Sequence, residues 1–573
     1  MPNFFTDNRD IIFHFERSDL REIVSILEDG YTKCEKFPYA PVDYEDAMEN
    51  YRRILEITGD IAANFIEPRA AGVDEEGPHF ENGKVTYASG TIENLQQLGK
   101  ADLLGLILPY EYGGLNLPFT AYCSAIEIAS RADASLMNLF GLQDIADCIN
   151  KFGDADQRAE YLPSFCSGEY TGAMALTEPD AGSDLQAVKL QAIQNPKGGW
   201  TLRGCKRFIT NGAGEVLLVL ARSEPGTKDA RGLSMFVCHG DDTVKVRRIE
   251  NKLGIHGSPT AELQFNDTPA TLVGKRKMGL IKYVFDLMYR ARMGVSAQAV
   301  GIAQAAFEAA LKYAKEREQF GKAIYDIPAV ANMLIDMRVK LEAARTLLYD
   351  ASRVVDLKER LEQQIERLKS RGESTVELSG RLKAVVKLGG LLTPLCKYIC
   401  TESANQIAYD ALQIHGGTGY MKEFKVERLV RDARITNIYE GTSQLQIVAA
   451  IGGVVTDVLG DFFKEHEKKE YRGGLGSLAA QLKEVRELYQ ECLQTVTERH
   501  DTTFHDVNAK ALVELYAISY IGYMLLDSAE EDDRKIFIAN RYILNGIGEA
   551  QKNAAQIKHG AYGDVLHADK ILI

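Results

Sequence analysis

The sequence predicts a mainly α-helical fold that is interrupted in the middle of the chain by a unit of β-strands. Apolar residues recur every three or four positions in the first third of the chain and again from Tyr283 onward. Between these regions, short apolar segments alternate with turn residues at regular intervals. The 573 residues exceed the roughly 250–300 at which one hydrophobic core stops growing, so we expect about two to four packed units.

The first predicted unit covers residues 1–167 and is helical. Leu20, Ile23 and Leu27 lie on one face of a helix. Helical spacing returns over residues 44–65, whereas the Gly-rich and charged segment 67–90 is typical of a loop. The pattern then resumes near Thr91 and continues to Phe165.

The predicted β unit covers residues 168–275. Turn pairs such as Asn211-Gly212 separate its apolar segments, and no helical pattern lies between them. The predicted strands are Leu202–Ile209, Val216–Ala221, Leu233–Val237, Val244–Ile249 and Ala261–Phe265. Consecutive strands without crossover helices favour an antiparallel barrel or a sandwich.

A third unit, residues 276–456, is predicted to be a helical bundle. Apolar faces recur over residues 300–314, 330–348 and 388–399, which favours antiparallel helices of the four-helix type. Residues 356–383 are dense in charge but keep apolar residues at helical spacing. We interpret this charged segment as a solvated helical extension and not as a binding tract.

Residues 457–573 form a fourth predicted unit. Apolar residues recur every three to four positions from Leu475 to Val496, and two helical segments follow over 511–526 and 536–547. The heptad-like spacing covers only about three heptads, near the lower limit for a coiled coil. We therefore expect a small helical bundle that docks on the main body.

The composition argues against several classes of function. The net charge of −14 disfavours a nucleic-acid groove and binding to anionic membranes. The nine cysteines show no zinc-site spacing, which predicts no metal site and indicates a reducing, cytoplasmic environment. No run of about 18 uncharged apolar residues occurs, so we expect no transmembrane segment. Charged residues among the first sixteen predict no signal peptide.

The first candidate for chemistry is the carboxylate of Glu440. It lies between the bulky pair Ile438-Tyr439 and the flexible pair Gly441-Thr442. In a cleft, desolvation would raise the pKa of this carboxyl group and make it a stronger base for proton abstraction. The alternative is a helix C-cap whose glutamate faces solvent. This stretch alone does not decide between the two.

Two segments of the β unit are candidates for ligand binding. The loop Ala175–Asp184 combines hydroxyls and small residues, and such a loop brings backbone N–H groups close to an anionic or heteroaromatic ligand. The segment Cys205–Gly212 reads as a strand that ends in a hairpin turn. The alternatives are a solvent-exposed turn for the first segment and a core strand for the second.

Five segments together resemble signatures of the acyl-CoA dehydrogenase family. In chain order they are Leu176–Asp184, Lys206–Gly212, Arg317–Lys322, Gln413–Tyr420 and Arg431–Ser443. The resemblance implies an N-terminal helical domain, a middle β-barrel and a C-terminal four-helix bundle. The chain length, the charged segment and the helical tail look most like a longer bacterial subgroup that includes 3-methylmercaptopropionyl-CoA dehydrogenase-like enzymes.

The resemblance also implies the reaction. Glu440 would abstract the α-proton of an acyl-CoA thioester while the β-hydride passes to FAD, which yields the trans-2-enoyl-CoA. The electrons would then go to an electron-transfer flavoprotein. The implied assembly is a homodimer or homotetramer in which neighbouring subunits share the FAD contacts. The length and branching of the acyl chain cannot be read from the sequence.

The resemblance assigns roles to individual positions. Near the flavin ring, Thr210 would bind a ring nitrogen and Phe208 would pack on the ring face. Arg317 and Phe320 would grip the FAD of a neighbouring subunit. All implied FAD contacts are Met174, Leu176, Thr177, Gly182, Ser183, Phe208, Thr210, Arg317, Phe320, Gln413, Gly416, Gly417, Thr442 and Gln444. The implied substrate contacts are Ser183, Arg292, Tyr439 and Gly441.

Three alternatives remain on the same scaffold. An acyl-CoA oxidase would return its electrons to dioxygen. A DNA-associated flavoprotein would not dehydrogenate, and the net charge of −14 weighs against it. Nitroalkane oxidation uses an aspartate base in relatives, which the glutamate at position 440 disfavours.

Overall fold

A computed structural model describes residues 1–196, 198–560 and 562–573. Helices make up the chain before residue 168, apart from one short hairpin of β1 (His79–Glu81) and β2 (Lys84–Thr86). The helices are α1 (Arg9–Arg17), α2 (Arg21–Leu27), α3 (Tyr44–Ile61), α4 (Ala70–Glu76), α5 (Ser89–Lys100), α6 (Phe119–Ala132), α7 (Ala134–Phe140), α8 (Gln143–Phe152) and α9 (Ala155–Ser167).

The middle of the chain folds into a closed β-barrel. Its strands are β3 (Gly172–Ala175), β4 (Gln191–Gln194), β5 (Trp200–Thr210), β6 (Val216–Arg222), β7 (Leu233–His239), β8 (Val244–Ile249) and β9 (Thr260–Val273). The order β6-β4-β5-β9-β7 closes where β7 pairs with β6, while β3 pairs with β6 and β8 with β9. The structure therefore decides between the barrel and the sandwich in favour of the barrel.

The five predicted strands are β5 to β9, and all pairings among them are antiparallel, as expected. A parallel pairing of the barrel involves a strand that was not predicted, β3, which pairs with β6 from Gly172 opposite Val216 to Ala175 opposite Val219. Strands β3 and β4 were missed. Each has four residues, which is too short to show an alternating pattern, and β3 consists of small residues and one methionine.

The second helical region is a bundle around one central helix. Helices α10 (Phe285–Glu316), α11 (Pro328–Ser370) and α14 (Ser443–Val455) pack against α12 (Val376–His415). The short strands β10 (Glu318–Gln319) and β11 (Lys322–Ala323) form a hairpin after α10, and α13 (Val426–Thr436) precedes α14. Helix α12 ends at His415, and its C-cap Gly416 has a φ of +61°, a left-handed conformation that favours glycine.

The charged segment 356–383 is not solvated throughout, which corrects our interpretation. Asp356 and Glu359 on α11 are buried. The Asp356 carboxylate accepts hydrogen bonds of 2.7 Å from the backbone N–H groups of Phe119 and Thr120, at the start of α6. The Glu359 carboxylate accepts two bonds of 2.7 Å from Arg290. Charge density along the sequence does not reveal these distant partners.

The C-terminal region is an extra helical domain. Its helices are α15 (Gly460–Lys468), α16 (Leu475–Glu498), α17 (Thr502–Glu531), α18 (Arg534–His559) and α19 (Ala568–Ile571). Helices α16, α17 and α18 pack against one another, α17 contacts α14, and α18 contacts α11. This arrangement confirms the predicted small bundle that docks on the main body.

Two helical segments are long and apolar enough, by length and composition alone, to cross a membrane. They cover Val376–Tyr420 and Thr502–Glu531, and a third candidate joins α14 and the bent α15. In the two long segments, 67% and 78% of the most apolar windows are buried inside the protein. Packing within the bundles therefore accounts for most of this apolar surface. The expectation of no transmembrane segment stays a prediction.

A buried charge cluster joins both ends of the chain to the bundle. The Arg345 guanidinium on α11 donates bonds of 2.9 and 2.7 Å to Glu127 on α6. The Glu342 carboxylate, one turn earlier, bonds to His14 on α1 at 2.8 Å and to Lys535 on α18. Glu342, Arg345 and Lys535 have no exposed surface. Such charges are stable in a core only when each is paired.

We expect Arg345→Met to destabilise the protein strongly, because Glu127 and Glu342 would stay buried with too little positive charge. Breaking a buried ion pair typically costs about 3–5 kcal/mol, which would appear as a lower free energy of unfolding in urea. The control is Arg203→Met, which removes an exposed arginine paired with Asp267 and should change stability little. Equal losses in the two variants would contradict a special role for the cluster.

Candidate active site

Glu440 lies in a strained turn between α13 and α14. Helix α13 ends at Thr436 with Asn437 as its cap, so Glu440 is not a helix cap. Its φ is +54°, a left-handed conformation that non-glycine residues adopt at an energetic cost, and Gly441 follows at +94°. The side chain is half-buried. The geometry thus rules out the solvent-exposed cap that the sequence left open.

Two side chains hold the backbone of this turn. The Lys397 ammonium on α12 donates a hydrogen bond of 2.6 Å to the carbonyl oxygen of Gly441. The Gln446 amide donates to the carbonyl oxygens of Glu440 at 3.2 Å and Gly441 at 2.9 Å. The Thr442 hydroxyl caps α14 by accepting a bond from Leu445 N. The backbone of the turn is therefore held by side chains from two helices, α12 and α14.

Burial and the neighbouring positive charges shift the pKa of Glu440 in opposite directions. Burial raises the pKa of its carboxyl group, and the positive charges of Lys397 and Arg292 lower it by a smaller amount. Burial in turn lowers the pKa of Lys397 to about 8. Burial also lowers the pKa of the Arg292 guanidinium. A carboxylate with a raised pKa beside two cations is suited to accept a proton.

Tyr439 begins a chain of hydrogen bonds that crosses the molecule. Its hydroxyl donates to the side-chain oxygen of Gln298 on α10. The Gln298 amide donates to Asn138 on α7 at 3.2 Å, and the Asn138 amide donates to the Ser258 hydroxyl at 3.1 Å. Asn138, Gln298 and Ser258 are all buried. Sequence reasoning missed these three residues, because no local pattern distinguishes a buried amide at the site from one in the core.

The same chain leads to the β-barrel. Ser258 precedes Pro259, whose carbonyl oxygen accepts a bond of 2.8 Å from Asn211 N. Asn211 follows Thr210, which is paired with Thr260 between β5 and β9. The predicted flavin contact Thr210 and the predicted substrate contact Tyr439 are therefore connected through one short loop.

The loop after β3 lies beside β5, so two of the sequence signatures are adjacent. The backbone N–H of Arg207 donates to the Thr177 carbonyl at 2.9 Å. The buried Lys206 ammonium donates to the Leu176 carbonyl at 2.8 Å and to Glu178 at 2.9 Å. Met174 and Leu176 lie at the end of β3, while Gly182 and Ser183 are exposed further along the loop.

Phe208 is turned out of the barrel by an irregularity in β5. The pairing of β5 with β9 shifts register between Lys206 and Ile209, and Phe208 has a φ of +59°. Its side chain is 53% exposed, with the Arg207 guanidinium 4.5 Å from the ring centre. An aromatic ring that a strained bulge presents to the outside fits an aromatic ligand such as a flavin.

The remaining predicted FAD contacts form a second surface. The α10–α11 hairpin carries Arg317 and Phe320, and the end of α12 carries Gln413, Gly416 and Gly417. Tyr313 joins the two, since its ring stacks on His415 at 4.2 Å and its hydroxyl bonds to Thr418 at 3.0 Å. Phe320 is 93% exposed. A side chain added at either glycine would meet no atom within 4 Å. Gln444 is also exposed, at the start of α14.

The two histidines near the signatures are engaged in structural contacts. His256 binds Asp74 through Nδ1 at 3.0 Å and the Lys252 carbonyl through Nε2 at 2.7 Å. His415 donates a hydrogen bond from Nδ1–H to the Ala411 carbonyl oxygen at 2.7 Å, and burial lowers its pKa.

Comparisons with known proteins match all four parts of the chain. Family models for acyl-CoA dehydrogenases match the N-terminal domain over residues 48–169, the middle domain over 173–268, the C-terminal domain over 281–451 and the acyl-CoA dehydrogenase C terminal over 457–565. The chain is 34% identical to 3-methylmercaptopropionyl-CoA dehydrogenase of Ruegeria pomeroyi over 474 residues, which are 78% of this chain and 75% of that protein.

Solved structures are similar as well. Acyl-CoA dehydrogenase from Bacillus anthracis complexed with FAD has a TM-score of 0.74 at 24% identity, over 89% of this chain and 88% of that one, which supports the fold. A structure described as electron transferring flavoprotein of Acidaminococcus fermentans is 32% identical over 70% of this chain and 97% of that one, with a TM-score of 0.59. The chain belongs to the acyl-CoA dehydrogenase family of FAD-dependent enzymes, which dehydrogenate CoA thioesters.

Proposed function

We propose that this enzyme converts an acyl-CoA to its trans-2-enoyl-CoA with Glu440 as the base and passes the electrons to an electron-transfer flavoprotein. The observation that carries the proposal is the half-buried carboxylate of Glu440, held in a left-handed turn beside Lys397 and Arg292. Family membership supports the class of reaction, and the geometry of this turn supports the choice of base.

The α-proton of a thioester is a weak acid, so its removal needs a strong base and a stabilised product anion. Burial strengthens Glu440 as a base by raising its pKa. The fixed backbone of the turn supports the proposal further, because a base must keep its geometry relative to the substrate. Gly441 has a φ of +94°, and a Cβ added there would lie 2.7 Å from Nε2 of Gln446, so glycine lets Gln446 hold the turn. Arg292 supplies a positive charge near the Glu440 carboxylate.

Bound FAD would supply the acceptor for the β-hydride. The residues that would hold its ring are Thr177, Thr210 and Phe208, on two adjacent segments of the barrel. Arg317 and Phe320 lie on an exposed hairpin, where they would serve the FAD of a second subunit. This position supports the proposal of a homodimer or homotetramer with shared cofactor contacts.

A cavity of about 840 Å³ lies next to the loop that carries Ser183. Lys189, Trp200 and Arg276 line it, and the Arg276 guanidinium is 5.1 Å from the centre of the Trp200 indole. Trp200 begins β5 and Thr210 ends it, so the cavity lies at the other end of this strand from the predicted flavin contact Thr210 and is not assigned to the substrate.

For the acyl group, the Ruegeria relative suggests one candidate to test, 3-methylmercaptopropionyl-CoA. A panel of acyl-CoAs that vary in length, branching and thioether content would define the preference. Anaerobic bleaching of the flavin absorbance reports each half-reaction without any electron acceptor. The working location that we propose for the enzyme is the cytoplasm.

We expect Glu440→Gln to fold and retain FAD but to lose activity by about 10²–10⁴-fold, the usual contribution of a general base. Flavin bleaching by the best acyl-CoA of the panel measures the loss. Glu427→Gln is the matched control, since Glu427 is a carboxylate on α13 that pairs with Arg431 outside the turn. Retention of most activity in Glu440→Gln would mean that another group is the base.

We expect Arg317→Ala to weaken FAD retention, because the guanidinium is suited to bind a pyrophosphate. The ratio of flavin to protein absorbance after purification and dialysis measures it. Arg203→Ala, which removes an exposed arginine on the barrel, should keep its flavin. Unchanged flavin occupancy in Arg317→Ala would refute the assigned role.

We expect slow turnover with dioxygen and fast turnover with an electron-transfer flavoprotein. The solved structure described as electron transferring flavoprotein of Acidaminococcus fermentans is 32% identical to this chain, and this similarity motivates the choice of acceptor. Dioxygen consumption and peroxide production in the presence of acyl-CoA are the measurements. Rapid peroxide formation without an acceptor protein would instead establish the acyl-CoA oxidase alternative.

A further inference from the structure

Lys397 is a buried cation in an apolar part of α12. The residue has no exposed surface, and Leu395, Cys396 and Tyr398 around it are buried too. Within residues 1–196, 198–560 and 562–573, no ion pair includes Lys397, and its ammonium makes one hydrogen bond, to the Gly441 carbonyl at 2.6 Å. Burying an ammonium without a paired carboxylate is costly. Because of this cost, we infer that the hydrogen bond from Lys397 to the Gly441 carbonyl has a functional role.

The contact fixes the conformation that Glu440 needs. A left-handed non-glycine residue persists only where its surroundings hold it. Here the hydrogen-bond donors are Lys397 from α12 and Gln446 from α14, and both reach the Gly441 carbonyl. Gln446 is neutral, so Lys397 alone adds a charge to the backbone contact.

The charge of Lys397 also acts on Glu440. The ionisable groups that influence Lys397 are Glu440, Arg292 on α10 and Glu402 on α12. Of these, Glu402 is engaged with Ser443 and Asn437. Burial drives Glu440 toward its neutral, protonated form, which cannot accept a proton, and the nearby ammonium opposes this effect.

We propose that Lys397 is a positioning residue for the reaction: its hydrogen bond to the Gly441 carbonyl sets the turn, and its positive charge favours the ionised form of the Glu440 carboxylate. The proposal rests on the proposed role of Glu440 as the base. Lys397 lies outside the five sequence signatures. The proposal gives it two roles, one in holding the backbone of the turn and one in the electrostatics of Glu440.

The test is the pH dependence of flavin bleaching in Lys397→Met and Lys397→Arg. Bleaching is followed anaerobically with butyryl-CoA or 3-methylmercaptopropionyl-CoA, whichever reduces the wild-type enzyme faster. Removing a positive charge raises the pKa of a neighbouring carboxyl group, so the acid limb of Lys397→Met should move up by about one pH unit. The pKa of Lys397 is about 8. At a higher pH the lysine of the wild-type enzyme is neutral as well, so the ratio of the wild-type rate to the Lys397→Met rate should become constant. Lys397→Arg should keep the acid limb near its wild-type position.

A uniform loss of rate with an unmoved acid limb would overturn the electrostatic part of the proposal, and an unchanged profile would overturn all of it. Lys252→Met is the matched control. Lys252 is a second lysine whose pKa burial lowers to about 8, but its ammonium binds the Ser258 carbonyl. Its loss should not move the acid limb. If Lys397→Met does not fold, Lys397→Gln replaces it in the same assay.

The failure of the base assignment can be told apart from the failure of this proposal. Glu440→Gln is measured in parallel. Fast bleaching by Glu440→Gln refutes the base, whatever Lys397→Met does. Slow bleaching by Glu440→Gln together with an unmoved acid limb in Lys397→Met leaves the base in place and refutes the charge effect of Lys397.

Discussion

The site depends on one chain of side-chain hydrogen bonds that joins three parts of the protein. Tyr439 belongs to the helical bundle, Asn138 to the N-terminal helices and Ser258 to a loop of the barrel, and Gln298 connects the first two. Each member is satisfied by the next, so a shift of one part would leave buried polar groups without partners, at a cost of about 1–3 kcal/mol each. The relative placement of Glu440 and the barrel residues is therefore set by polar contacts as well as by apolar packing.

Much of this architecture follows from the sequence, because its causes are local. Helical spacing predicted the helical regions on both sides of the barrel, and the turn pairs predicted its strands β5 to β9. The order of the five signatures identified Glu440 as a candidate site residue. Lys397, Asn138 and Gln298 could not be predicted, since their meaning lies in contacts between residues far apart in the chain. The same holds for the charged segment. From the sequence Glu359 is expected to be solvated, and only the structure shows that Arg290 binds it.

The structure uses buried charge for two different purposes. Around Glu342 and Arg345, charges of both signs are closely paired, which suits permanent assembly of helices. Around Glu440, the cations do not pair directly with the carboxylate, and its pKa remains raised. The first arrangement stabilises ionised groups, and the second leaves one group able to change its protonation state. The two environments thus differ in how completely their buried charges are neutralised.

The Glu342 cluster has a consequence for the modularity of the chain. His14 near the beginning and Lys535 near the end bind the same carboxylate on α11. A segment cut at the limits of the match to the C-terminal domain, residues 281–451, would keep Glu342 but lose both His14 and Lys535. Removal of either end of the chain would thus leave a buried carboxylate with one partner fewer. The two ends of the chain are coupled through the carboxylate that they share.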